Sequence, residues 1–294
     1  MIMHNALSQV SVVCGPYTLK GFSISGLATY VQVPELDICF DMGECPVSAV
    51  PIRHILLTHA HGDHARCLLR HRALRGMLGI QGEAVYIIPE PIIKKFNDLA
   101  KADALFEGVT EEEYIPPNTV SLNGGESLYE LPFRKGIFIK SFTVEHRGIP
   151  SLGYTVMNRR KKLKQEYLNL PGQEIARLRK EGIEINDESD VPLITFIGDC
   201  TVESLYKEKH IWKSPILMIE ATFVDPSDRE LAGKKGHTHI DEIGEVLREF
   251  QKEELPEHIV LKHFSMKVSK AEIAAAVERS IPDSAKSRIR IFLD

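Results

Sequence analysis

Residues 58–64 read Thr-His-Ala-His-Gly-Asp-His and place four potential metal ligands within six positions. The mostly apolar residues 53–58 predict a short strand that ends at this cluster, and residues 65–75 predict a helix after it. Imidazole and carboxylate groups suit zinc, and also borderline ions such as manganese or iron. An accidental histidine-rich loop has no reason to lie between a strand and a helix. The stretch therefore predicts a metal site.

Three more candidate ligands lie far along the chain, each directly after an apolar strand: His146, Asp199 and His263. Strand ends that meet at one edge of a sandwich would bring them to the cluster, where Asp199 could bridge two ions. Taken alone, His146 or His263 would more often be an ordinary surface or core histidine, and Asp199 could be a turn residue. Together with the cluster they predict a two-metal site whose ligands are His59, His61, Asp63, His64, His146, Asp199 and His263.

The composition indicates a globular protein with one large core. Of its 294 residues, 43% are hydrophobic and 26% are charged, and an α/β fold of this size is ordinary as one unit. We expect a single domain over residues 1–294. No apolar run approaches the roughly 20 residues that cross a bilayer, and the first eight residues lack the features of a signal peptide. We therefore expect a soluble cytoplasmic protein with no membrane segment.

Apolar runs and alternating patterns predict many short strands with interspersed helices. The predicted strands cover residues 17–24, 29–33, 36–41, 53–58, 84–88, 126–131, 136–144, 153–157, 193–197, 216–219 and 258–261. The predicted helices cover residues 65–75, 89–106, 240–251 and 269–280. This order predicts an α/β fold in which two mixed β-sheets pack together and helices flank both outer faces.

Charge is distributed unevenly along the chain. The formal net charge of -5 argues against a protein that coats nucleic acid over a broad surface, because phosphate binding depends on Lys and Arg. Residues 158–164 are nonetheless almost entirely basic, and residues 181–190 are mostly acidic. We interpret residues 158–190 as an exposed, partly helical surface insertion.

These motifs, in this order, resemble the metallo-β-lactamase superfamily and, within it, the short plant-type form of tRNase Z. The histidine motif alone is shared with lactamases, glyoxalases, lactonases, sulfatases and nucleases, so it does not identify a substrate. Residues 220–223 and 236–240 resemble the elements that distinguish tRNase Z. The phrases that carry the resemblance are residues 34–36, 40–43, 58–64, 153–154, 162–167, 198–200, 220–223, 236–240 and 262–265. The resemblance implies the αββα sandwich of the superfamily.

The resemblance also implies a zinc-dependent endoribonuclease that removes the 3′ trailer from precursor tRNA and leaves a 3′-hydroxyl. One zinc ion would be held by His59, His61, His146 and Asp199, and the other by Asp63, His64, Asp199 and His263. Asp63 would also orient the attacking hydroxide, and Glu220 and His237 would protonate the leaving ribose oxygen. Glu220 as a turn cap and His237 as a solvated loop residue are the ordinary alternatives.

The family grips tRNA with a basic arm, whose nearest counterpart here lies within residues 158–190. The resemblance makes Arg159, Arg160, Lys161, Lys162 and Lys164 the candidate RNA contacts, although a charge run is often only a solvated face. It also implies a homodimer. The sequence departs from the family in Gly-Asp-Cys at residues 198–200, where Gly-Asp-Thr is typical, and in the loop at residues 21–26.

Two other functions remain open from sequence. The same fold could hydrolyse a small phosphodiester, a sulfate ester or a lactone, which the net negative charge and the short arm favour. The chain could also be an RNA-binding homologue without catalysis, although no ligand of the metal site is missing from it.

Overall fold

The computed structural model describes residues 8–125 and 127–293. The first eight residues, for which the sequence predicts no signal peptide, therefore lie almost entirely outside the described residues, as does Glu126, the first residue of one predicted strand. Among the described residues, no helix is long and apolar enough to cross a membrane.

The described chain contains runs of strands with helices interspersed between them. The strands are β1 (Val10–Cys14), β2 (Tyr17–Ser25), β3 (Ala28–Val33), β4 (Ile38–Phe40), β5 (His54–Leu56), β6 (Val85–Pro89), β7 (Thr119–Leu122), β8 (Leu128–Glu130), β9 (Ile137–Thr143), β10 (Leu152–Leu163), β11 (Asn186–Ile197), β12 (Ile216–Glu220), β13 (His258–Lys262), β14 (Phe264–Ser265) and β15 (Ile289–Ile291). The helices are α1 (Gly62–Ala65), α2 (Leu68–Met77), α3 (Glu90–Phe106), α4 (Gly172–Lys180), α5 (Val202–Lys207), α6 (Arg229–Lys235), α7 (Ile240–Arg248), α8 (Lys270–Ser280) and α9 (Asp283–Lys286).

The strands form two mixed sheets. The first has the order β1-β2-β3-β4-β5-β6-β7, with β14 beside β2, and the second has the order β15-β13-β12-β11-β10-β9-β8. Pairing is antiparallel from β1 to β4 and parallel from β4 to β7. In the second sheet it is antiparallel from β8 to β11 and parallel from β11 through β12 and β13 to β15.

Because side chains alternate between the two faces of a strand, each sheet contributes both to the core between the sheets and to a core under the helices. In β13, Val260 packs into the layer between the sheets, whereas Ile259 and Leu261 face the helices on the other side. Such a strand is apolar on both faces because both faces are covered. Helices α7 and α8 cover the second sheet, and α2 and α3 cover the first. This arrangement confirms the predicted αββα sandwich.

The predicted candidate ligands lie where strands end. His59 follows β5, His146 follows β9, Asp199 follows β11 and His263 follows β13. A backbone hydrogen bond of 2.9 Å from Leu152 N to Thr58 O joins the two sheets at this edge. The two layers therefore present their strand ends to a common point.

Strands β10 and β11 are much longer than the predicted runs at residues 153–157 and 193–197. The apolar patterns that predict strands detect only the part of each strand that is buried in the sandwich. Beyond it the two strands continue as a charged antiparallel ribbon, with Arg159 opposite Asp190 and Lys161 opposite Glu188. Residues 164–185, including α4, connect the two ribbon strands. The segment interpreted as an insertion therefore begins and ends as an extension of the sheet, and its longer middle part is the partly helical connection.

Candidate metal centre

The turn after β5 is held in place by a buried carboxylate that follows β4. Asp41 Oδ1 accepts hydrogen bonds from Thr58 N at 2.7 Å and from Thr58 Oγ1 at 2.9 Å. Asp41 Oδ2 accepts a hydrogen bond of 2.8 Å from His64 Nδ1. Asp41 therefore fixes both the start of the histidine cluster and the ring of its last member, a role that sequence reasoning did not assign to it.

The first group of candidate ligands is His59, His61, His146 and Asp199, whose ligand atoms all lie within 4.8 Å of one another. His61 Nδ1 lies 3.1 Å from His59 Nε2 and 3.3 Å from His146 Nε2. His59 Nε2 lies 3.7 Å from Asp199 Oδ2. Three imidazole nitrogens and one carboxylate oxygen thus point at a common centre.

The second group is Asp63, His64 and His263, which meet the same distance criterion. His64 Nε2 lies 3.2 Å from His263 Nε2, and Asp63 Oδ2 lies 3.8 Å and 3.6 Å from these two atoms. Asp199 Oδ1 lies 3.3 Å from His64 Nε2. The two oxygens of Asp199 therefore face different groups, which is the geometry that a bridging ligand needs.

The outer nitrogens of three rings are engaged elsewhere, which aims the inner nitrogens at the centre. His64 Nδ1 bonds Asp41, His59 Nδ1 lies 3.0 Å from Thr58 Oγ1, and His146 Nδ1 donates to Gly236 O at 2.7 Å. Gly236 has a φ of 78°, and a Cβ at this position would lie 2.9 Å from His146 Nδ1. Glycine is therefore required beside His146.

The residues present fit divalent metal ions. Asp199 Oδ1 is buried and has no hydrogen-bond partner among the described residues, which is costly for a carboxylate oxygen without a cation. Burial, followed by the charge of His64, lowers the pKa of His59 well below its ordinary value, which favours the neutral form that binds metals. Burial would raise the pKa of Asp199, but His263 and His64 hold it well below the ordinary value.

Glu220 and His237 form a pair beside this cluster. Glu220, at the end of β12, is fully buried, and its Oε1 lies 2.9 Å from His237 Nδ1. Burial lowers the pKa of His237, but the Glu220 carboxylate outweighs it and raises the value to about 9. The ring therefore carries a proton at neutral pH, and Glu220 occupies Nδ1, which leaves Nε2 for a substrate.

Two neighbours of this pair were not predicted. Thr222 Oγ1 donates to Glu220 Oε2 and lies 3.0 Å from His263 Nδ1, so it connects the pair to the second ligand group. Glu220 Oε1 also accepts from Cys200 N at 2.8 Å. Glu220 thus does cap a turn as well as hold His237. The only sequence signal for Thr222 is its place in the phrase at residues 220–223.

The candidate RNA contacts on β10 divide between the two faces of the ribbon. Arg159 makes two hydrogen bonds to Asp190, at 2.8 and 2.9 Å, and Lys161 pairs with Glu188. The exposed Arg160 and Lys162 point to the opposite face, because side chains alternate along a strand. Lys164 follows β10 and is half-buried. Within residues 8–125 and 127–293, no ion pair is found for these last three side chains.

Comparisons with known sequences bear on the family to which the chain belongs. None of the protein-family models compared with the chain matches it. The chain is 34% identical over 275 residues to the chloroplastic tRNase Z TRZ2 of Arabidopsis thaliana, which covers 92% of this chain and 74% of that protein. It is 33% identical over 276 residues to tRNase Z TRZ1 of the same plant, covering 93% and 94%.

Solved structures show the same fold at low sequence identity. The metallo-β-lactamase fold protein YhfI of Bacillus subtilis superposes with a TM-score of 0.59 at 11% identity, covering 96% of this chain and 95% of that one. The short form of human tRNase Z, ELAC1, gives a TM-score of 0.50 at 18% identity, covering 89% and 92%. The plant relatives match nearly the whole chain and confirm the predicted family: this protein belongs to the tRNase Z family and has the metallo-β-lactamase fold.

Proposed function

We propose that this protein is a metal-dependent endoribonuclease that removes the 3′ trailer from precursor tRNA and leaves a 3′-hydroxyl. The observation that carries the proposal is the hydrogen-bonded Glu220–His237 pair beside a converging histidine and aspartate cluster. A ribose oxygen is a poor leaving group until it is protonated, so phosphodiester cleavage needs such a donor.

Two zinc ions are the proposed cofactors, with manganese or iron as alternatives. The first would be held by His59, His61, His146 and Asp199, and the second by Asp63, His64, Asp199 and His263. Cations at this site would supply an activated water and stabilise charge on the attacking and leaving oxygens.

The side chains around the ligands have separate roles in the proposal. The backbone amide of Gly26 donates to Asp63 Oδ2 at 2.7 Å, which orients this carboxylate so that it can accept a hydrogen bond from the attacking water. His237 donates its Nε2 proton to the leaving ribose oxygen. Glu220 stabilises the charged ring and holds it in one orientation, because both oxygens of Glu220 are fixed by hydrogen bonds.

We assign the RNA contact of the ribbon to Arg160, Lys162 and Lys164. Phosphate binding draws on cations that are not already held in an ion pair, and Lys162 forms none among the described residues although it lies opposite Asp187. Arg159 and Lys161 are paired with Asp190 and Glu188, so in this proposal they stiffen the ribbon and contribute less to RNA affinity. A homodimer and a cytoplasmic location belong to the same proposal; sedimentation equilibrium and imaging of a tagged chain test them.

Incubation of the metal-loaded protein with a 3′-extended precursor tRNA tests the activity. We expect a tRNA that ends in a 3′-hydroxyl and a trailer with a 5′-phosphate. His237→Ala should slow cleavage by about 10²–10⁴-fold, the usual contribution of a general acid, with the bound metal unchanged. If the wild-type protein hydrolyses bis(p-nitrophenyl) phosphate but leaves the RNA intact, the substrate in this proposal is wrong and a small phosphodiester is favoured.

A further inference from the structure

A cavity of about 430 Å³ opens beside the Glu220–His237 pair. Its walls come from the end of β2, from the segment between β12 and α7, and from the end of β14 and the residues that follow it. His237 and Thr222 belong both to these walls and to the site described above. A ligand in the cavity would therefore lie against the proposed proton donor. The volume is at the small end of ligand pockets, which suits a single nucleotide better than a larger group.

The walls combine an aromatic face with cationic side chains. Phe223 lines the cavity, and its ring centroid lies 6.1 Å from that of His237. Lys235 and Lys267 are exposed at the same cavity, and neither has an ion pair among the described residues. An aromatic ring for a base and free cations for phosphates are what single-stranded RNA requires.

Acidic side chains at the cavity limit the choice of ligand. Asp225 lines it, but its Oδ1 accepts from Ser227 N at 2.9 Å and from Ser227 Oγ at 2.7 Å. Asp228 lines it as well and would repel a small free anion such as phosphate. A base with amino or imino donors tolerates this carboxylate, so the mixed walls favour a nucleotide over a simple anion.

We infer that this cavity holds one RNA nucleotide, the one on the 5′ side of the scissile phosphate, which becomes the 3′ end of the processed tRNA. The inference rests on the proposed function: His237 protonates the ribose oxygen of that nucleotide and also lines the cavity. The base lies on Phe223, and Lys235 and Lys267 face the phosphates of the same strand. The cavity thereby determines which nucleotide is placed at the metal centre.

A double-mutant cycle that combines a substitution in the protein with an abasic nucleotide in the RNA tests the inference. Phe223→Ala should lower kcat/KM for precursor tRNA by about 5- to 150-fold, the range for one lost stacking contact, and should lower it far less for bis(p-nitrophenyl) phosphate. An abasic ribose at the nucleotide 5′ to the cut should cost the wild-type enzyme a similar factor. It should cost Phe223→Ala little, because contacting groups couple in such a cycle.

Two variants control for effects on folding and charge. Phe223→Leu keeps an apolar side chain without a ring and should resemble Phe223→Ala, whereas Phe106→Ala, at the exposed end of α3, should resemble the wild type. Lys235→Gln should weaken RNA binding and should reduce the dependence of RNA affinity on salt concentration. Lys234→Gln, whose lysine pairs with Glu230 and does not line the cavity, should do so less.

The outcomes separate the inference from the function on which it rests. If Phe223 is coupled to an abasic site on the trailer side of the cut, the assigned position of the nucleotide is wrong. If Phe223 is coupled to an abasic site on neither side of the cut, the proposed nucleotide subsite is wrong. Equilibrium binding of the same RNAs to metal-depleted protein gives the cycle a readout without cleavage. If that cycle shows coupling but the wild-type protein never cuts the RNA, the proposed activity fails and the nucleotide cavity stands.

Discussion

Replacing Asp41 by asparagine should weaken metal binding and not only folding. Asp41 is fully buried and accepts three hydrogen bonds, two from Thr58 and one from His64. Bonds to a charged group contribute about 1.5–3 kcal/mol each, against about 1 kcal/mol for neutral ones. Asparagine keeps an acceptor for Thr58 but loses the charged partner of His64, so we expect a loss of about 2–5 kcal/mol in the free energy of unfolding.

The same change should lower metal affinity by about 10- to 100-fold, the usual effect of losing a hydrogen-bonded partner of a metal-binding histidine. A chelator competition titration measures the affinity, and urea unfolding of the metal-free protein measures stability. The two quantities are independent readouts, because a purely structural role for Asp41 would change only the second.

Asp37 offers a matched control at the other end of β4. It accepts from Arg53 N at 2.8 Å and Arg53 Nε at 2.6 Å, and it contacts none of the candidate ligands in the described chain. Asp37→Asn should therefore lower stability and leave metal affinity unchanged. If Asp41→Asn binds metal as tightly as Asp37→Asn, the proposed orientation of His64 by Asp41 is refuted.

Three other changes have definite expected results. Glu220→Gln should slow precursor tRNA cleavage by about 10²–10⁴-fold, because the charged form of the proton donor loses its carboxylate; single-turnover kinetics measure this. Lys262→Met should raise the free energy of unfolding by about 1–3 kcal/mol in urea titrations, because among the described residues the buried ammonium group has only the ring of Phe196, 4.4 Å away, to offset its desolvation. Arg160→Gln with Lys162→Gln should reduce the slope of log affinity against log salt by about 2 in RNA binding.

A specific result would contradict each of these three predictions. Unchanged cleavage by Glu220→Gln at full metal content would remove the pair from the mechanism. A lower stability of Lys262→Met would mean that the ammonium has a stabilising partner. If Arg159→Gln with Lys161→Gln reduces the salt slope as much as the double change on the opposite face, the proposed division of the ribbon is wrong.

The sequence predicts the fold class because the strands of the sandwich are buried on both faces and are continuous in apolar residues. The sequence does not predict those parts of the fold whose stability comes from pairing between two strands. Residues 158–163 and 186–191 carry no apolar pattern, yet they form a ribbon in which Arg159 and Lys161 lie opposite Asp190 and Glu188. Such a register depends on which two strands meet, and a single charged run contains no information about its partner.

At the site, the structure brings all seven candidate ligands together. Sequence reasoning found four of them as a compact cluster after one apolar strand and the other three because each directly follows an apolar strand. It did not find Asp41, Thr222 or Phe223. Asp41 also follows a strand, but a lone aspartate there is more often a turn residue, and only its hydrogen bonds to Thr58 and His64 distinguish it. Phe223 becomes informative only beside a cavity, which no local pattern describes.

The parallel pairing of β11, β12 and β13 explains why the proposed ligands and the proton donor belong to one unit. These neighbouring strands end at the same edge, so Asp199, Glu220 and His263 are placed by a common register. Glu220 also accepts the backbone N–H of Cys200, which ties the strand that carries Asp199 to the strand that carries the pair. That bond uses the backbone, and the Cys200 side chain is fully buried against Thr238. The departure to cysteine therefore leaves intact the contact on which the site depends.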